Sequence, residues 1–115
     1  MASKTRANFA NMPEAMRPQP VPNAPGVTCW ASFAAMRQLC EATGIGAPGQ
    51  VMAELLRANP ATIEEAVARL VLNPDGTRWS GTPDDLPVAL MELGRLLADS
   101  VHRRLFGSPL VLEVE

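Results

Sequence analysis

The chain has 115 residues, 47% of them hydrophobic, and a formal net charge of −2. That supplies one small core and leaves little length for a second, so disorder of the whole chain is excluded. Acids and bases are interspersed, without the basic face that a nucleic-acid partner requires, and no apolar run approaches the ~18 residues that would cross a bilayer.

Residues 1–25 read as an extended arm. Five of the eleven prolines lie there, and "RPQPVPNAPG" cannot be helical, so an extended or polyproline-like path is expected. The opening segment lacks the apolar centre of a secretory signal. Cytoplasmic synthesis without a signal peptide is therefore the expectation, with signal-independent export left open. Residues 26–115 read as a single, mostly helical domain.

Its first helix is expected over residues 29–42. Cys29, Phe33, Met36 and Cys40 follow helical spacing, Thr28 stands as N-cap and Gly44 as the left-handed stop. A second helix over 49–58 would bury Val51, Met52, Leu55 and Leu56. The stretch "NPATIEEAVARLVLN" gives a third, with Thr62 and Glu65 at capping-box spacing and an earlier start offered by Asn59-Pro60. "NPDGTRWSGTP" is turn-rich, tightest at Asp75-Gly76.

The fourth helix is expected from Asp84 or Asp85 to about Phe106-Gly107, with Leu86, Leu90, Leu93, Leu97 and Val101 as its apolar stripe. Gly94 would kink it or admit a close neighbour. The tail "SPLVLEVE" is rich in strand formers and reads as one strand after Pro109. The fold class is thus mainly α with a short C-terminal strand. A lone strand leaves its amides and carbonyls unpaired. Its partner must come from the arm, from a second chain completing the sheet, or from further sequence.

On one helix, Cys29 and Cys40 would be separated by about 16 Å, too far for a disulfide. Both are expected to be free thiols. One His and two Cys are too few for a structural zinc site, so no metal or other cofactor is expected. Paired acids at Glu64-Glu65 and Asp84-Asp85, and the basic pair Arg103-Arg104, match the dipoles of the helix ends on which they sit.

"GVTCW" raises a chemical question. A cysteine at a helix N-terminus gains thiolate character from the unpaired amides there, and an imidazolium beside it would add more. By periodicity alone, Cys29 reads more readily as a buried structural residue than as a nucleophile.

The segment "TCWASFAAM", led by "PQPVPNAPG", resembles the nucleophile segment of papain-like cysteine peptidases, in particular their compact bacterial, effector-like and double-glycine-peptidase-like type. The specific match covers about twenty residues, and "GSPLVLEVE" is similar to the strand that precedes the catalytic histidine in such domains. The resemblance implies Cys29 as nucleophile, Trp30 as the residue packed beside it, and an upstream amide in the oxyanion hole. That amide is normally Gln; Asn23 stands six residues before Cys29, and Gln19 ten before.

The general base would be His102, the only histidine, with Asp99 one turn earlier to orient it. His102 lies in "DSVHRRLF", which reads as a helix end and not as the strand start typical of the family. The chain would correspond to the helical half of a papain-like α+β fold, either truncated before the sheet half or degenerate; the third and less favoured state is a complete small domain that uses His102 in an atypical way. The implied function is a cysteine peptidase or amide-bond hydrolase acting on a peptide or protein substrate. The alternative is a catalytically inactive, peptidase-like interaction module that binds a protein through its strand edge or its Pro-rich arm.

Overall fold

The structure, a computed structural model, describes residues 9–111. The fold is mainly α, with four helices and a small antiparallel sheet of three two-residue strands. Among the described residues no helix is long and apolar enough to cross a membrane.

Helix α1 spans Phe33–Thr43 and begins later than its hydrophobic spacing predicts. Thr28 and Cys29 are drawn into a strand, and Ser32 caps the helix instead, its Oγ accepting from the Ala35 amide at 3.0 Å. The buried face is accordingly Ala35, Met36 and Leu39, whereas Phe33 is 68% exposed. Gly44, in the left-handed region at φ 73°, ends the helix by donating its amide to the Cys40 carbonyl.

Helix α2 spans Pro48–Leu56, with its proline in the first turn, and buries Val51 and Leu55. Helix α3 spans Pro60–Leu70. The Asn59 side chain accepts from the Ala61 and Thr62 amides, so the earlier of the two readable starts is used and Thr62 is buried inside the helix. Helix α4 spans Leu90–Phe106 and buries Leu93, Leu97 and Val101. It does not begin at Asp84 or Asp85. Those residues belong to a separate 3-10 turn, Pro83–Asp85, closed by reciprocal bonds between Thr82 and Asp85. Gly107, at φ 75°, stops α4.

Helices α2 and α4 share the most extensive helix–helix contact. A methyl group on Gly94 would collide with the Leu55 carbonyl oxygen, so the glycine admits a close neighbour. Leu55, Ile63, Leu70 and Leu97 are fully buried around this contact.

The strands are β1 (Gln19–Pro20), β2 (Thr28–Cys29) and β3 (Val71–Leu72), in the order β1-β2-β3. Gln19 pairs with Cys29 and Pro20 with Thr28; on the other side Thr28 pairs with Leu72 and Cys29 with Val71. The third helix therefore stops at Leu70, because the two residues after it are taken by the ladder.

Both edges are closed to further pairing. Along β1 the bonded pair Val21–Val27 fixes the alternation, so Gln19 bonds inward and Pro20 faces out. Pro20 has no N–H to offer, nor has Pro18 two positions back. Along β3 the outer side is already occupied: Trp79 donates to the Val71 carbonyl, and Asn73 to that of Thr77.

The expected C-terminal strand is not formed at Leu110 and Val111, where the Leu110 amide instead donates to Asp99 Oδ1 at 2.8 Å. Residues 112–115, the rest of that expected strand, lie outside the described residues. The Pro-rich segment packs on the body from Phe9 onward. Val21 is only 3% exposed and belongs to the core.

Candidate functional site around Cys29

Cys29 is central in the sheet, not at a helix terminus. It lies on β2 between Gln19 and Val71, with 2% of its surface exposed. Helix α4 walls it from the side. Ser100 is buried on the inner face of α4, and its hydroxyl donates to the Leu96 carbonyl at 3.2 Å.

This setting works against a thiolate. Burial pushes the thiol from its ordinary 9.0 up to about 12, and the nearby Asp99 carboxylate adds to the rise; the Ser100 hydroxyl opposes it only in part. The expected place of Cys29 in the first turn of a helix is therefore not found: three residues separate Cys29 from the first residue of α1.

The expected partners are dispersed. His102 is two residues beyond Ser100, about 200° around the helix, so it leaves the face that meets Cys29. Its Nδ1 bonds the Ser108 carbonyl at 2.8 Å, and its ring lies 4.7 Å from that of Phe106. Asp99 does not orient it. Asp99 Oδ2 accepts from Arg103 Nε at 2.7 Å, and its Oδ1 takes the Leu110 amide.

Asn23 is exposed in the turn joining β1 to β2, at φ 64°. Asn tolerates this left-handed conformation better than most residues, which accounts for its presence without an oxyanion role. The Gln19 amide donates to the Arg17 carbonyl at 2.8 Å. Trp30 does pack beside Cys29 in sequence and in space. Its Nε1–H donates to the Met16 carbonyl at 3.0 Å, and its ring meets Phe9 edge-on at 4.9 Å.

Cys29 and Trp30 share a cavity of about 10 Å³ with Met16, Arg17, Ala31, Ser100, Arg103 and Arg104. It holds at most one water. A peptide carbonyl cannot reach the sulfur through it. Glu14, Ala15 and residues 17–20 instead border an open groove of about 690 Å³ with Arg103 and Pro109. Cys29 and Cys40 are both free thiols, and no group of three metal-ligating side chains occurs among the described residues.

Ser100 and Arg103 are the site neighbours that sequence reading missed. Their only signal is placement on a helix whose inner face meets β2, some seventy residues from the cysteine. No protein-family model, curated protein or solved structure matches this chain.

Proposed function

We propose that this chain is a non-catalytic, peptidase-like interaction module that binds a protein partner through its Pro-rich segment. The observation that carries the reading is the state of Cys29, which is buried in the sheet, faces Ser100 and Asp99, and has its thiol pushed up to about 12. At neutral pH such a group supplies almost no thiolate. The Cys-Trp pair then serves as scaffold: Cys29 fills the sheet–helix junction and Trp30 anchors the N-terminal segment.

Of the two binding routes the sequence offers, β-augmentation is disfavoured because β1 presents prolines outward and β3 is covered. The Pro-rich segment remains. Pro20 and Pro22 are exposed on either side of the buried Val21, which holds them in place before any partner arrives. A preordered proline segment loses little conformational freedom on docking, the property that aromatic-lined polyproline readers exploit.

The test is a titration of the protein with isolated SH3 and WW domains as probes, followed by Trp fluorescence. Saturable binding is expected, weakened at least about tenfold in Pro20→Ala/Pro22→Ala and unchanged in Cys29→Ala. Absence of binding to every probe, or binding indifferent to the prolines, refutes the docking route. Hydrolysis of a fluorogenic peptide amide that disappears in Cys29→Ala refutes the non-catalytic assignment.

A further inference from the structure

Cys29 is enclosed from unequal sides. Its sheet neighbours Gln19 and Val71 and the α4 residue Ser100 belong to the packed body. The small cavity beside it is lined by Met16 and Arg17, at the end of the segment of residues 9–17, together with Trp30, Ala31, Arg103 and Arg104. That segment is built differently from the body. Its two short turns, Phe9–Asn11 and Glu14–Met16, contain no buried residue. Arg17 ties them together by donating to the Met12 and Ala10 carbonyls.

Its aromatic and polar attachments to the body are identifiable. The Phe9 ring meets Trp30, Trp30 Nε1–H donates to Met16, and Arg103 Nη1 donates to the Ala15 carbonyl at 3.0 Å. Arg103 is itself held by Asp99, whose other oxygen accepts from Leu110. A segment with no buried side chains, joined to the body by a ring contact, hydrogen bonds and the packing of its second turn on α4, belongs to the low-stability end of a fold. The helices beneath it are held by fully buried leucines and valines.

We propose that residues 9–17 are a lid over Cys29 and Trp30, clasped by the Asp99–Arg103 pair, and that the lid opens locally while the helical body stays folded. Opening removes the Met16 and Arg17 wall and brings the sulfur to solvent. The clasp couples the lid to the C-terminal segment, because the pair that holds Ala15 also holds Leu110. This gating holds whether or not Cys29 acts on a substrate, so it stands or falls apart from the function proposed above.

The experiment measures iodoacetamide alkylation of Cys29 in the full chain carrying Cys40→Ser, at fixed pH and rising sub-denaturing urea. The thiolate displaces iodide to form the carbamidomethyl thioether, and the thiol proton goes to buffer. A lid opening predicts a rate nearly flat in urea, since little surface is exposed, with a steep rise only near the global transition. Phe9→Ala and Arg103→Ala should each raise the flat rate about five- to tenfold, the loss of one contact or charged hydrogen bond. Ile63→Val serves as the control: it should lower the unfolding midpoint and leave the flat rate unchanged. A rate that follows the full urea dependence of global unfolding overturns the proposal. So does a failure of both lid variants to accelerate alkylation, or an equal acceleration by Ile63→Val.

Discussion

Raising the pH through the alkaline range should destabilise this protein by way of Cys29. In the folded chain the thiol is pushed up to about 12, whereas in the unfolded chain it titrates near its ordinary 9.0. Above pH 9 the unfolded state releases a proton that the folded state keeps. The folded state then binds more protons, so stability falls as pH rises, starting at the unfolded value and levelling off above the folded one. Between those limits the loss is about 1.4 kcal/mol by pH 10 and about 2.7 kcal/mol by pH 11. The composition makes the measurement unusually clean: there is no tyrosine, and Lys4 is the only lysine. The assay is guanidinium unfolding, with reductant present, at pH 7.5, 9, 10 and 11 for wild type and Cys29→Ala. The variant starts less stable because it leaves a cavity, but its curve should lack the alkaline slope, and the two lines should converge by about 1.4 kcal/mol per pH unit above pH 9. Parallel lines would refute the argument, because they would mean that the thiol ionises alike in both states.

Gly94→Ala should cost at least about 2 kcal/mol in urea unfolding, because its methyl meets the Leu55 backbone, which cannot rotate away. Asn59→Ala removes the cap of α3 and should cost about 1 kcal/mol, read as a lower thermal midpoint. His102→Ala should leave the alkylation rate of Cys29 unchanged at every pH, since its imidazole bonds Ser108 and packs at a tilt against Phe106; a drop of tenfold or more at pH 6 would place it beside the sulfur.

The helices were legible where the chain carries local punctuation. Gly44 and Gly107 stop helices as left-handed caps, and Asn59-Pro60 starts one, because these effects act within a single turn. The sheet was not. Its strands are two residues long, too short for an alternating pattern, and the third comes from a part of the chain some forty residues beyond the second. That hidden ladder shifted the start of α1 from Thr28 to Ser32, where a second good capping residue was waiting. It also turned Phe33 from an expected core residue into an exposed one. The start of α4 was misread for a related reason: Asp85 does close a turn, with Thr82, but Pro87 and the residues after it interrupt the helix before Leu90. At the site, the sequence marked Cys29 and Trp30 as noteworthy neighbours. It carried no local mark that Ser100, Asp99 and Arg103 would surround them, since that depends on how α4 lies across β2.

The ion pair of Asp99 and Arg103 has a consequence for the order of the chain. Ala15 and Leu110, near opposite ends of the described residues, both bond to this one pair of side chains. The two ends therefore lie within a few residues' reach of each other. A permuted gene that joins residue 111 to residue 9 through a short Gly-Ser bridge, and opens the chain at the Asp75-Gly76 turn, should fold to the same helices. By the same geometry, the unit can be spliced into a surface loop of a host protein, entering and leaving at nearly one point.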